Sequence, residues 1–147
     1  MIIYLGTDHA GFELKEAVKK FLLDKGYQVK DFGAYSYKKR DDYPDFIHPV
    51  GKAVAKNPNR DRGIIFGGSA QGEAITANRY KGVRAVVFDH YSAKVIKLSK
   101  EHDNSNIASL GGFFINKKEA LKIVKLWLKT PFSEAVRHKR RIKKIDK

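Results

Sequence analysis

Cysteine is absent from the 147-residue chain, which excludes disulfides, thiolate zinc sites and a cysteine nucleophile. No apolar run approaches the roughly 20 residues that a membrane helix needs. The opening Met1-Ile2-Ile3-Tyr4-Leu5 has neither a basic n-region nor a cleavage site, so it reads as a strand and not a signal peptide. No internal repeat and no low-complexity linker divides the chain. What is present is ordinary for a water-soluble globular protein: 42% hydrophobic and 31% charged residues. One domain over residues 1–147, long enough to bury a core, without a membrane partner and in the cytoplasm, is the expectation.

Acidic residues are scarce beside basic ones, 16 against 30, leaving a net charge of +14. Such a balance suits phosphate-bearing partners, nucleic acid among them. The lysines are spread over every predicted helix, however: Lys15, Lys19, Lys20, Lys97, Lys100, Lys122 and Lys125. They read as a solvated face, so nucleic acid is not the expected partner. Only the tail Arg137-His138-Lys139-Arg140-Arg141-Ile142-Lys143-Lys144 concentrates the charge, and its arginines could grip a phosphate by forked hydrogen bonds.

Apolar runs and helical periodicity alternate along the chain. A strand over 2–6 leads through Gly6–Gly11 into a helix carrying Phe12, Leu14, Val18, Phe21 and Leu22, closed by Gly26. A strand over 27–32, a polar connection from Gly33 to Asp42, a helix from Tyr43 and a loop over 57–61 follow. Further strands are expected at 63–67, 83–88 and 107–110, with helices near 72–80, 92–101 and 117–129. Thr130-Pro131 reads as the N-cap and first-turn proline of a last, basic helix. This alternation predicts an α/β fold with a parallel sheet. Asp8-His9, Gly67–Glu73 and His102–Asn106 are placed at strand carboxyl ends, converging on the edge where open α/β sheets bind ligands.

The chain is organised around Gly63-Ile64-Ile65-Phe66-Gly67-Gly68-Ser69-Ala70-Gln71-Gly72-Glu73. A buried strand runs into a turn of small residues and then a helix start, gathering backbone N–H groups and the positive helix end at one spot. Ser69 adds a hydroxyl and Glu73 a carboxylate in the first helical turn. It is neither a P-loop nor a dinucleotide fingerprint. Taken singly, each residue has a plain reading: Glu73 favoured by the helix dipole, Asp8 an N-cap, His9 a surface histidine. Their coincidence favours an anion or proton-transfer site.

Leu5-Gly6-Thr7-Asp8-His9-Ala10-Gly11, Asp42-Tyr43-Pro44, Gly67–Glu73, Ala77-Asn78, Glu101-His102 and Arg137-His138-x-x-Arg141 resemble, in order, the type B ribose-5-phosphate isomerase family. That wider family includes allose-6-phosphate and galactose-6-phosphate isomerases. The resemblance implies a Rossmann-like three-layer α/β/α sandwich with a five-stranded parallel sheet. It also implies a homodimer with sites at the subunit interface, leaving tetramers open, and a place in the pentose phosphate pathway. One branch of the family takes the C2 proton with a cysteine, whose position is Gly67 here; the other uses a glutamate at the position of Glu73. Glu73 is then the base and Ser69 the hydroxyl that helps move protons between O1 and O2. The backbone of Gly68, Ala70 and Gly72 would stabilise the enediolate. His102 corresponds to the ring-opening acid, assisted by Asp8. His9, Arg137 and Arg141 correspond to phosphate ligands, the arginines coming from the partner along a basic helix over 131–147. Tyr43 and His138 line the sugar. No metal and no cofactor is implied.

Two departures stand out. Phe113 occupies a position where the family usually has arginine, removing one phosphate contact unless a lysine replaces it. Asp103 stands where asparagine is usual, placing negative charge near the sugar or beside His102. Ribose 5-phosphate is the expected substrate; a hexose 6-phosphate, or a non-catalytic protein binding phospho-sugar or nucleic acid, are the competing readings.

Overall fold

The computed structural model describes residues 1–147. Five strands, β1 (Ile2–Thr7), β2 (Gln28–Asp31), β3 (Arg62–Gly67), β4 (Ala85–Phe88) and β5 (Ile107–Gly111), form one sheet in the order β2-β1-β3-β5-β4. Every pairing is parallel. The six α-helices are α1 (Phe12–Asp24), α2 (Tyr43–Lys56), α3 (Gln71–Ala77), α4 (Ala93–Glu101), α5 (Lys117–Lys129) and α6 (Val136–Ile145).

Alternation along the strands divides the core between the two faces of the sheet. Ile3, Leu5, Ile64, Phe66, Ala108 and Leu110 point one way, into α1, α4 and α5. Tyr4, Ile65 and Ile107 point the other way, into Ile47, Val50 and Val54 of α2 and Ala77 of α3. The result is the expected three-layer α/β/α sandwich. Trp127 is fully buried, with its Nε1 donating to Ser105 Oγ at 2.8 Å, so its polar tip costs little on burial. β1 has β2 on one side and β3 on the other, so the chain winds away in opposite directions from the β1/β3 pair. That is the topological switch point, and its crevice opens at the strands' carboxyl ends.

Three expectations need correction. Thr130 caps the end of α5, its Oγ1 donating to Leu126 O at 2.8 Å, and the last helix begins only at Val136. Thr-Pro serves both ends of a helix, because a proline after a C-cap stops a helix as readily as one at N1 starts it. The residue that closes α6, Asp146, accepts from Gly82 N at 3.0 Å through its Oδ1, and His138 is only 2% exposed. Two of the lysines assigned to solvent, Lys15 and Lys100, are buried. Lys15 Nζ bonds Asp31 Oδ2 and Ala34 O, both at 2.7 Å, and so ties α1 to the end of β2. Finally, His102–Asn106 precedes β5 instead of following a strand. Ile107 is in register with Gly63 and Gly111 with Gly67, so this turn lies at the amino edge of the sheet.

Candidate active site

At the carboxyl edge, Thr7 holds the ends of β1 and β3 together by donating to Asp8 O at 2.9 Å and Phe66 O at 3.1 Å. Asp8 follows directly; its Oδ1 accepts from Ala10 N at 2.9 Å, and it is 7% exposed. The capping reading of Asp8 therefore holds, and the same residue faces the glycine turn. From Gly67 the chain turns into α3, one residue earlier than Gly72, with Ala70 at a φ of 65°. That left-handed conformation strains most side chains, and alanine is the smallest that carries a Cβ. Ser109 Oγ fixes the turn by donating to Ala70 O at 2.8 Å.

The Glu73 carboxylate lies directly over the Cα of Gly67, in the volume that any side chain at 67 would fill. Glu73 is 4% exposed. Burial pushes its carboxyl above the usual carboxylate range, despite its own backbone N–H, and the charge of Asp8 pushes it further. Burial raises Asp8 as well, in spite of Ala10 N–H and His9. Ser69 is exposed at the tip of the turn. Tyr43 closes the other side: a Cβ on Gly72 would stand 2.5 Å from its hydroxyl. This pocket can take a proton from a bound carbon acid and offer backbone donors to the oxygen beside it.

Asp41 belongs to the same group, and sequence reading missed it. Its Oδ1 accepts from His9 N at 2.9 Å and meets His9 Nδ1 at 2.7 Å, 32 residues away in the chain. Asp41 Oδ2 is buried without a partner. The only hint in the sequence was a paired Asp41-Asp42 before Tyr43-Pro44. Asp8, His9 and Asp41 bring ligand atoms within 4.8 Å of one another, a grouping able to hold a metal ion. Asp8 Oδ1 is engaged by a backbone amide and His9 Nδ1 by Asp41 Oδ1, while Asp41 Oδ2 is left without a partner.

Phe113 is at the site too, its ring against Gly68 and its N–H donating to Gly68 O at 3.0 Å. It borders a cleft of about 670 Å3 that also contains His9, Tyr37, Lys39 and Lys117. Two lysines therefore stand beside the position where the expected arginine is missing.

The remaining sequence-chosen residues form a second group elsewhere. His102 and His138 stack with ring centroids 4.2 Å apart, His138 Nδ1 meets Ser133 Oγ at 2.7 Å, and Arg137 Nε approaches His138 Nε2 at 3.2 Å. Burial lowers the His138 pKa, with His102, Arg137 and Arg141 adding to the effect. Arg137, Arg141 and Asp103 are exposed. This group is at the amino edge, at least the length of β3 from Glu73. Four residue steps separate Gly63 from Gly67 in the shared register, about 13 Å of strand.

A doubly wound parallel sheet, with a buried carboxylate over a glycine turn at its switch point, defines a ligand-handling α/β protein of the kind that moves protons on small anions. Comparison with known proteins narrows that class. The Ribose/Galactose Isomerase family model matches residues 3–145, and the chain belongs to that family. Ribose-5-phosphate isomerase B of Mycolicibacterium paratuberculosis is 42% identical over 142 residues, covering 97% of this chain and 87% of the relative. The crystal structure of a ribose 5-phosphate isomerase from Thermotoga maritima superposes with a TM-score of 0.90 at 43% identity, covering 99% of this chain and 97% of that one. Ribose-5-phosphate isomerase B from Mycoplasma genitalium, solved with bound ribulose-5-phosphate, gives a TM-score of 0.93 at 38% identity, covering 98% and 93%.

Proposed function

We propose that this protein interconverts ribose 5-phosphate and ribulose 5-phosphate through an enediolate, with Glu73 as the base. The observation that carries the reading is the Glu73 carboxylate, buried over Gly67 with a raised proton affinity. A base with a pKa nearer neutrality removes a proton from C2 and returns it to C1 more effectively than an ordinary carboxylate. Ser69 relays the proton between O1 and O2. The backbone of Gly68, Ala70 and Gly72 faces the developing oxyanion. Asp8 assists at the ring oxygen, Tyr43 lines the sugar, and His9, held by Asp41, meets the phosphate. Lys39 and Lys117 supply the charge that Phe113 does not. The relatives bearing the isomerase name, one of them holding ribulose-5-phosphate, support this substrate.

His102, Asp103, Arg137, His138 and Arg141 sit at the opposite edge of the same chain. They contribute only if a second copy presents its amino edge to the first copy's carboxyl edge. A two-fold dimer supplies two such sites, each joining Glu73 of one subunit to the histidines and arginines of the other.

The test is turnover on a panel of ribose, allose and galactose phosphates, with and without chelator, for the wild type and Glu73→Gln. Ribose 5-phosphate is the best substrate, chelation has no effect, and Glu73→Gln lowers kcat by about a hundredfold or more while the fold persists. Activity lost to chelator and restored by a divalent ion would assign the chemistry to the Asp8-His9-Asp41 cluster. Preference for a hexose phosphate would move the substrate, and inactivity on the whole panel would favour a binding protein.

A further inference from the structure

Three cations meet at the amino edge. β3 begins at Arg62, Arg84 precedes β4, and α4 carries Lys100 in its last turn. They line a cleft of about 830 Å3, to which α5 adds Lys129 and α6 adds Lys139 and Lys143. Lys100 and Arg84 are 4% and 8% exposed. Their partners are neutral oxygens: Lys100 Nζ donates to Ser105 O at 3.0 Å, and Arg84 to Asn104 O and Gly82 O, both at 3.0 Å. Arg62 Nη1 likewise donates to the main-chain oxygen of Asp61 at 2.8 Å. None of Lys100, Arg84 and Arg62 forms a salt bridge; the charges of Asp146 and Asp103 act on Arg84 and that of Asp61 on Arg62, whereas Lys100 has no such partner. Glu134, the one carboxylate lining the cleft, is already paired with Lys139 at 2.6 Å.

Buried charge without a counter-ion is unfavourable, and like charges side by side make it more so. Burial, with Arg62 and Arg84 adjacent, lowers the Lys100 ammonium to about 7. Lys100 is also 5.0 Å from the Trp127 ring, whose face offers only weak compensation. A core built for stability alone would place an apolar residue there. An anion seated beside the three side chains would supply the counter-charge that Lys100 lacks and add to what Arg84 and Arg62 have. The donors come from separate elements, β3, the segment before β4, α4, α5 and α6, which suits tetrahedral groups with oxygens on every side better than a planar carboxylate met by a single fork. Several cations along one cleft suit more than one such group. None of His102, Arg137, His138 and Arg141 lines it, and Glu73 lies at the far edge of the sheet.

We propose that this cleft is a second anion site, separate from the sugar-phosphate site, that takes a small oligophosphate of two or three linked phosphate groups.

Titration calorimetry with sodium tripolyphosphate, at fixed ionic strength and with citrate as a control of comparable charge, tests it on the full-length protein. One saturable site per chain is expected, with citrate much weaker. Lys100→Met and Arg62→Gln should each weaken tripolyphosphate binding about tenfold or more, since each removes a charge-assisted bond. The rim variant Lys129→Gln/Lys143→Gln should weaken it by a smaller factor. Turnover on ribose 5-phosphate stays at the wild-type value in every variant, and saturating ribose 5-phosphate does not displace tripolyphosphate. Circular dichroism checks folding; if Lys100→Met fails to fold, Arg62→Gln and the rim variant decide. No saturable binding, affinity unchanged in the variants, equal binding of citrate, or displacement by ribose 5-phosphate would each overturn the proposal. An oligonucleotide binding more tightly than tripolyphosphate, and lost in the same variants, would reassign the cleft to nucleic acid.

Discussion

At the carboxyl edge of the sheet the candidate site buries two acids, Asp8 and Glu73; at the amino edge a cleft buries two bases, Arg84 and Lys100; the buried charges of opposite sign, Lys15 and Asp61, are each held in an ion pair, with Asp31 and Arg60. Desolvation acts on both and moves them in opposite directions. It raises the two carboxyls and lowers the Arg84 guanidinium and the Lys100 ammonium, because it disfavours whichever form is charged. The difference teaches how one layer of strands can present two unlike surfaces. Residues following a parallel strand gather at one edge and residues preceding it at the other, so the acids of the candidate site and the bases of the cleft draw on different parts of the chain.

The largest effect is expected from breaking the two edges in different subunits. Glu73→Gln disables the acid edge, and Arg137→Ala with Arg141→Ala disables the basic one; each homodimer should be nearly inactive. Refolding the two together at equal amounts makes about half the dimers mixed, each with one intact site and one lacking both functions. Activity should rise from about a hundredth or less of wild type to roughly a quarter. Mixed dimers verified by mass and as inactive as their parents would place the arginines in the site of their own chain.

A second change sharpens the acid edge by adding a cation. Phe113→Arg puts a guanidinium beside Gly68, in the cleft shared with His9, Lys39 and Lys117. A charge-assisted hydrogen bond to the phosphate should lower KM for ribose 5-phosphate by about tenfold. A KM that stays the same or rises shows that the two lysines already saturate the phosphate.

The smallest effect concerns stability at the basic edge. Lys100 has a folded pKa of about 7 against an ordinary value of 10.5, so between these limits the unfolded chain binds the extra proton. Stability contributed by this group therefore increases with pH across that window, by about 1 kcal/mol from pH 7 to 8 in phosphate-free buffer. Urea unfolding of Lys100→Met should lack that increment. An identical pH dependence in the two proteins would mean that Lys100 stays charged in the folded state.

The order of strands and helices was legible because periodicity and turn residues agree along most of the chain. Phe12 to Leu22 and Lys117 to Lys129 illustrate this, each becoming a helix with its apolar stripe on the sheet. The glycine turn and Asp8 were legible because they directly follow strands. His102–Asn106 was misplaced because a polar turn beside a strand looks the same on either side, and only chain direction assigns its edge. Asp41 was missed because its meaning depends on a partner 32 residues away. Lys15 and Lys100 left a fainter mark. Lys15 follows Leu14 and lies three before Val18, while Lys100 lies four after Ile96, so both sit on buried stripes. Charge alone assigned them to solvent, whereas their position on the helix pointed inward.

The space above Gly67 accommodates one occupant. Because the Glu73 carboxylate fills it, a side chain added at 67 and the carboxylate in its present pose cannot share it, and the flexible end of Glu73 has to swing aside. Introducing a thiol at 67 first forces the carboxylate out of its seat; shortening Glu73 first leaves the seat empty. On the proposed reading of Glu73 as the base, either order disturbs the carboxylate, so a lineage or an engineer exchanging one acceptor for the other passes through a protein in which it is displaced or missing. The glycine thus keeps that seat open for the carboxylate, and any residue with a Cβ at 67 contests it.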